Sequence, residues 1–401
     1  MRPGLAVTIS VVAALVGGSV ALALGVAGGW LDRSTTTVVV STQAPSGGAT
    51  PVAVVAKPLA GNGFQPAELY RARAAGVVTI IAYLPGSTAS STQAGQGSGF
   101  VVAKDGTILT ASHVITTAGE GSGTPEPAQH VYVEFSDGDR VTAKIVGYDL
   151  FDDVGVIRVD PRDHPVSPVP LGDSARIVVG EPVAAIGSPF GDAGSLSVGV
   201  VSAIRRPIPS LTTRYDLVDA IQTDAPINHG NSGGPLFDAR GRVIGINAQI
   251  RSSGTNGGFE GVGFAVPIDS ARRSLLQLEQ TGHVAYAYVG IRTEDLTPGL
   301  ARAFGYAAPR GALVDSVESG PGRTAGIRAG TRDVVYEGTD VKVGGDAIVA
   351  IAGLPVTSAA DVVRIVSERL VPGEVAPFTV VRGRRRLVLE VKLAARPGPS
   401  G

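Results

Sequence analysis

The chain has 401 residues, 44% of them hydrophobic and 17% charged, which suits two or three compact domains and is too apolar for a disordered protein. Its formal net charge is −1 and the basic residues are scattered, so it builds no basic stripe for nucleic acid. It has no cysteine, which excludes disulfides, thiolate nucleophiles and zinc–thiolate sites, and its five histidines (His113, His130, His164, His229, His283) lack the paired spacing of a helix-borne metal site, so neither metal nor cofactor is expected.

Pro3 to Leu31 contains no charged residue, and Val7–Val26 is almost wholly Val, Ala, Leu, Gly and Ile, long enough to cross a bilayer as a helix. The first reading is an uncleaved anchor over 1–33 with a short cytoplasmic N-terminus. The second is a cleaved signal peptide, because Ala21-Leu22-Ala23 and Val26-Ala27-Gly28 offer small residues at a cut site. Either way the remainder is expected outside the cytoplasm, attached to the membrane or secreted. Residues 34–65 are rich in Thr, Ser, Ala, Pro and Gly and read as a flexible linker.

From Pro66 the pattern changes to a short helix over Glu68–Ala75 and then to β-type runs separated by turns. The runs are Val77–Tyr83, Gly99–Val102, Thr107–Thr110, Val131–Phe135, Lys144–Tyr148, Val154–Val159 and Pro182–Ile186, with Asp105-Gly106 and Asp137-Gly138 as hairpin turns. Many short strands at this spacing predict antiparallel barrels or a sandwich. A helix over Ser270–Glu279 closes the region at about 282. Residues 283–395 then read as a smaller α+β unit, with strands near Tyr288–Ile291, Ala312–Val317, Ala347–Ile351 and Phe378–Arg382 and a helix over Ser358–Arg369; 396–401 form a frayed tail.

Gly230-Asn231-Ser232-Gly233-Gly234-Pro235-Leu236 is the most informative segment. A serine hydroxyl attacks a carbonyl when it projects from a tight turn whose N–H groups face the developing oxyanion, and flanking glycines permit that turn. The turn Gly230-Asn231-Ser232 is the candidate oxyanion hole, chiefly through the N–H groups of Gly230 and Ser232. Thr110-Ala111-Ser112-His113-Val114 places His113 just after a strand, as a general base requires. The third group is a carboxylate that fixes the imidazole tautomer. Asp153 is preferred over Asp152 because neighbouring strand residues face opposite sides, with Asp149 and Asp160 as weaker candidates. The chain order His, Asp, Ser is that of the chymotrypsin-type triad, itself the worked template for such sites.

Gly97–Val102, Asp105–Val114, Asp153–Arg158, Val183–Gly191, Ile221–Leu236 and Gly261–Pro267 together resemble the HtrA/Deg family of trypsin-like serine proteases, from about Pro66 to Leu393. The resemblance implies His113, Asp153 and Ser232 as the triad, a chymotrypsin-like double β-barrel over 66–282 with the site between barrels, and a PDZ domain over 283–395. His229 stands where the family usually has proline, and Ser112 where it usually has asparagine. Pro226 lies six residues before the serine, with Ile227 beside it and no carboxylate to pair with Arg or Lys. Small or medium apolar side chains are therefore expected before the cut, with Asn247–Ile250 as the pocket wall. Tyr288-Val289-Gly290-Ile291 resembles a PDZ carboxylate-binding loop, and Gly320–Gly330 supports that assignment. Thr331–Gly345 is an insertion relative to the family, and Arg382-Gly383-Arg384-Arg385-Arg386 reads as a solvated hairpin turn.

The resulting expectation is an ATP-independent serine endopeptidase acting through an acyl-enzyme on misfolded or regulatory exported proteins, with C-terminal tails bound at the PDZ domain. No P-loop is present to hold ATP. A homotrimer is implied by the resemblance. The rival expectation is a tethered PDZ sensor or chaperone whose protease domain is latent.

Overall fold

The computed structural model describes residues 63–85, 95–118, 124–187, 194–213, 215–228, 230–250 and 260–398, without the side chains of Gln249 and Ile250. The expected anchor, most of the linker and His229 lie outside the described residues. Among the described residues, no helix is long and apolar enough to cross a membrane.

Helix α1 (Pro66–Arg73) begins with proline in its first turn, carries Glu68 near its N-terminus and ends with Arg71 and Arg73, an order that complements the helix dipole. It buries Leu69, and Arg73 Nε donates to Gly241 O at 2.9 Å. The helix is thereby fastened to the second of two barrels.

The first barrel comprises β1 (Val77–Tyr83), β2 (Gly95–Val101), β3 (Thr107–Thr110), β4 (His130–Glu134), β5 (Arg140–Asp149) and β6 (Val154–Arg158), closed in the order β1-β2-β3-β6-β5-β4. The second comprises β7 (Pro182–Gly187), β8 (Ser195–Ile208), β9 (Leu217–Thr223), β10 (Pro235–Asp238), β11 (Val243–Ile250) and β12 (Gly263–Pro267), closed in the order β10-β11-β12-β9-β8-β7. All pairs are antiparallel, so alternate residues face opposite sides. Val101 and Ile108 fill the first barrel, while Phe100 and Leu109 point into the seam between barrels. In β7, Val183 and Ala185 fill the second barrel, while Ala184 and Ile186 join the same seam. Because both faces of β7 are covered, Val183–Ile186 reads as a continuous apolar run. The fold is mainly β, as the strand spacing predicts.

Helix α2 (Ile268–Thr281) lays Ile268, Ala271 and Leu278 on the seam and ends at Gly282, whose φ of 75° lets its N–H return to Leu278 O.

The C-terminal unit contains β13 (Ala287–Tyr288), β14 (Ile291–Leu296), α3 (Pro298–Phe304), β15 (Gly311–Val317), α4 (Pro321–Thr324), β16 (Arg332–Tyr336), β17 (Thr339–Val343), β18 (Asp346–Ile351), β19 (Leu354–Pro355), α5 (Ala359–Arg369), β20 (Val375–Arg382), β21 (Arg385–Lys392) and β22 (Ala394–Ala395). Its main sheet runs β14-β15-β18-β20-β21, with β19 on β18, and α5 buries Val362, Ile365 and Val366 against it. The expected strand over Tyr288–Ile291 is split, because Gly290 takes a φ of 77° and turns β13 into β14.

The Thr331–Gly345 insertion is a two-stranded hairpin, β16–β17. Its turn, Glu337-Gly338, has φ of 50° and 81°, the doubly left-handed form that matches strand twist. Val341 and Val343 bury with Leu296 and Leu300, so the hairpin caps a second small core over α3. The basic run is only partly a solvated turn: Arg384, Arg385 and Arg386 are exposed, but Arg382 turns inward onto the fully buried Asp346 at 2.6 Å.

Candidate active site

His113 stands on a single helical turn, Ser112–Val114, directly after β3, and Asp153 immediately precedes β6. Strands β3 and β6 are paired, so the two side chains emerge from adjacent strand ends on the first barrel. Ser232 precedes β10 on the second barrel, and Ser98 N–H donates to Ser232 O at 2.8 Å across the seam. The His113–Asp153 pair and the Ser232 loop therefore both border the seam between the barrels.

Asp153 Oδ2 lies 2.7 Å from His113 Nδ1, and its Oδ1 accepts from His113 N–H at 3.0 Å and from the Ser112 hydroxyl at 2.7 Å. That arrangement leaves Nε2 for a substrate-side proton. Burial pushes the imidazolium down, but the charge and hydrogen bond of Asp153 outweigh it, so the pKa of His113 rises above 6.5. Asp153 itself is 4% exposed and has a φ of 53°. Its direction comes from this left-handed turn ahead of the strand, not from strand alternation. Asp152 points away and pairs with Arg273 of α2 at 2.6 Å, while Asp149 is buried against Ser274 and Tyr286. Asp160 pairs with Arg162 on the surface.

The Ser232 hydroxyl donates to Ala248 O at 3.2 Å, its hydrogen-bond partner among the described residues. The loop that carries it is held by a closed set of bonds. Gly233 N–H donates to Asn247 O at 2.7 Å, Asn247 N–H to Gly234 O at 2.8 Å, and the Ser98 hydroxyl to Gly230 O at 2.6 Å. Gly230 and Gly233, at φ of 97° and 82°, permit the reversal. Asn231 departs from the expectation: its N–H already donates to Asn228 O at 3.0 Å, so it does not face an oxyanion. The N–H groups of Gly230 and Ser232 remain as the candidate donors.

The expected pocket residues divide. Ile227 is 1% exposed and lies against Gly263, where an added Cβ would come within 2.9 Å of its Cδ1. Pro226 is exposed, and its carbonyl accepts from the Ser197 hydroxyl at 2.7 Å. Asn247 is not a pocket wall: it is fully buried, with its side-chain amide on Pro235 O at 3.4 Å beneath the serine loop. The side chain of Ile250 lies outside the described residues. Two residues whose roles the motifs did not disclose are Ser98 and Ser112, because each acts across a strand pairing that only the fold creates. No group of three or more His, Asp or Glu able to hold a metal occurs among the described residues.

In the C-terminal unit, Gly290 O accepts from Glu318 N–H at 2.9 Å and Val289 O from Gly322 N–H at 2.8 Å, which folds Tyr288–Ile291 into a tight loop ahead of β14. Strand β14 is the edge of its sheet, and Ala359 N–H, at the start of α5, donates to its Asp295 at 2.7 Å.

Residues 97–246 match the trypsin-like peptidase domain. A probable periplasmic serine endoprotease, DegP-like, of Pseudomonas putida (strain F1) is 39% identical over 302 residues, covering 75% of this chain and 56% of the relative. The chain carries a trypsin-like peptidase domain, and its relatives include DegP-like serine endoproteases. Another relative with the same description, from Hahella chejuensis, is 43% identical over 246 residues, covering 61% of this chain and 49% of the relative. The chain thus spans about half the length of the curated relatives it matches. Among solved structures, the HtrA-type protease AlgW with a tripeptide superposes with a TM-score of 0.68 at 29% identity, over 84% of this chain and 99% of that one. A serine endoprotease from Yersinia pestis superposes with a TM-score of 0.58 at 25% identity, over 83% of this chain and 98% of that one.

Proposed function

We propose that this chain is an HtrA/Deg-type serine endopeptidase that cleaves unfolded or regulatory exported proteins through an acyl-enzyme. The observation that carries this reading is the junction of His113, held at 2.7 Å by Asp153, with the Ser232 loop across the barrel seam. On substrate binding the Ser232 hydroxyl turns from Ala248 O to His113 Nε2, which takes its proton as Oγ adds to the scissile carbonyl. The N–H groups of Gly230 and Ser232 stabilise the oxyanion. His113 then passes the proton to the leaving amine, and water repeats the sequence on the acyl-enzyme. Asp153 stabilises the imidazolium in both halves without taking its proton. The lack of a carboxylate at Pro226, six residues before Ser232, supports a preference for small or medium apolar side chains before the cut.

The C-terminal unit is read as a PDZ domain that takes a substrate's C-terminal tail as a further strand on the open edge of β14, its carboxylate at the Tyr288–Ile291 loop. A homotrimer, held on the outer face of the membrane by the N-terminal segment and working without ATP, completes the proposal.

One observation favours a second reading, a latent protease that acts first as a peptide sensor: the Ser232 hydroxyl rests on Ala248 O and not on the imidazole. Casein cleavage by residues 66–401, with Ser232→Ala as control, tests the first reading. Cleavage lost in the variant supports it. Fluorophosphonate labelling that needs an added C-terminal peptide supports the latent form, and no labelling under either condition sinks both.

A further inference from the structure

Asp153 closes a turn, Asp149–Asp153, that joins β5 to β6. Its φ of 53° is a conformation that a side chain other than glycine keeps only where surrounding contacts over-determine it. Most of those contacts come from outside the first barrel. The Thr212 hydroxyl donates to Leu150 O. Asp152 pairs with Arg273 of α2 at 2.6 Å. Asp149, 2% exposed, accepts from Phe151 N–H at 2.9 Å with one oxygen, and from Ser274 Oγ at 2.6 Å and Tyr286 OH at 2.5 Å with the other.

Phe151 is the side chain at the middle of this turn. Its ring lies edge-on to Tyr286 at 5.1 Å and tilted to Tyr215 at 5.7 Å. The guanidinium of Arg396 sits among all three rings, 5.0 Å from Tyr286, 5.1 Å from Phe151 and 5.2 Å from Tyr215. Arg396 N–H also donates to Tyr286 O at 2.8 Å, and its Nη2 donates to Ser367 Oγ of α5 at 2.5 Å. Tyr286 lies between the barrels and the C-terminal sheet, and Arg396 follows the last strand. An arginine enclosed by ring faces is a strong, directional fastening.

We propose that Tyr286 and Arg396 are positioning residues for the triad: they hold the Asp149–Asp153 turn in the form that delivers Asp153 to His113. The inference rests on the triad reading of His113, Asp153 and Ser232. Neither residue touches reacting atoms; each acts through Phe151 or Asp149. Ser367 extends the same chain of contacts to α5, so the C-terminal unit sets how firmly the barrel keeps its own carboxylate in place.

The test uses the full chain and follows the second-order rate of Ser232 labelling by a fluorophosphonate, together with the pH dependence of kcat/KM. Arg396→Gln is expected to slow labelling about tenfold by emptying the ring cage. Arg396→Lys, which keeps a cation over the rings, should recover most of the rate. Tyr286→Phe, which removes only the hydroxyl on Asp149, should cost about threefold. Because Asp153 is what raises the pKa of His113, both Arg396→Gln and Tyr286→Phe should also move the acidic limb of kcat/KM to lower pH. Wild-type labelling with an unchanged rate and limb in Arg396→Gln overturns the inference and leaves the triad reading standing. A slower rate with an unmoved limb, accompanied by a lower Tm, also overturns it, since that pattern belongs to general destabilisation. Should Arg396→Gln fail to fold, Tyr286→Phe decides by the same two readouts. Failure of the wild-type chain to label at all, with or without peptide, sinks the triad reading and the inference with it.

Discussion

The hydroxyl of Ser112 donates to Oδ1 of Asp153 at 2.7 Å, while Oδ2 of the same carboxylate faces the ring of His113 at 2.7 Å. The residue beside the base thus fixes the base's own partner from the opposite oxygen. Ser112 is fully buried, so water does not replace the bond when it is lost. Hydrogen bonds to charged groups contribute roughly 1.5–3 kcal/mol. Ser112→Ala is therefore expected to lower kcat/KM about tenfold or more with the fold intact, and steady-state kinetics beside a far-UV spectrum would check it. A variant as active as wild type would show that His113 N–H alone suffices.

Acylation needs neutral His113, and its pKa lies above 6.5 because Asp153 outweighs burial. The acidic limb of kcat/KM should accordingly have its midpoint above 6.5, and Asp153→Asn should bring it below that value while reducing kcat severely. A midpoint at or below 6.5 in the wild-type chain would count against an ionised Asp153 beside the ring.

Asp149 gives a separate pH signature in stability. Burial first, and then the charge of Asp152, push its carboxyl up from 3.8 to about 6, against the hydrogen bonds of Ser274, Tyr286 and Phe151 N–H. The native state then holds a proton that the unfolded chain has released, so this contribution is fully present below 3.8 and is lost as pH rises to about 6. His113 adds a loss of the same sign, beginning above 6.5. Urea denaturation of Ser232→Ala between pH 4 and 6, with and without Asp149→Asn, should show the first slope disappear in the double variant. An identical slope in both would assign it to other carboxyls.

Gly187 ends β7 directly under the serine loop. A Cβ there would stand 2.4 Å from Asn231 Oδ1 and 2.9 Å from Asn231 Cα, closer than side chain and backbone can tolerate. Overpacking of this kind costs about 1–3 kcal/mol. Here the strain falls on the Gly230–Ser232 turn, so Gly187→Ala should reduce labelling of Ser232 by about a hundredfold or more, given how steeply rate falls with misplaced groups. Retained labelling would mean that the loop yields without disturbing the serine.

Asp346 is fully buried and holds Arg382 through Nε at 2.6 Å and Nη2 at 2.8 Å, while also accepting from Arg328 N–H at 2.9 Å. Arg382 is partly exposed and can be rehydrated, so the loss on removing Asp346 is that of hydrogen bonds to a charged group, roughly 1.5–3 kcal/mol. Asp346→Ala should therefore unfold the C-terminal unit at a lower denaturant concentration, read by hydrogen exchange in β18 and β20, while exchange in the barrels stays low. Uniform loss of protection across both parts would show that they unfold as one.

Much of the site was legible before any fold was known, because its chemistry is written in short contiguous runs. Gly230–Leu236 and Thr110–Val114 each require their glycines, serine or histidine at fixed spacing, and the β-branched runs of the first barrel announce their strands by composition. The tight turn at Asp153 shows the boundary of that legibility: the residue was legible, but its direction comes from a φ of 53° and not from the strand period. The pocket shows it again, since Asn247 occupies a strand beside the serine yet turns its side chain beneath the loop. Ser98 on Gly230, Ser112 on Asp153 and Arg396 over Phe151 were not legible at all. Their partners lie 132 and 41 residues away along the chain in the first two pairs, and on another structural unit in the third. Local sequence determined which groups carry the chemistry, because nucleophile, base and turn depend on neighbouring residues. Only the tertiary structure decided how those groups are aimed and held, because the hydrogen bonds and ring contacts that do so exist only once distant strands have paired.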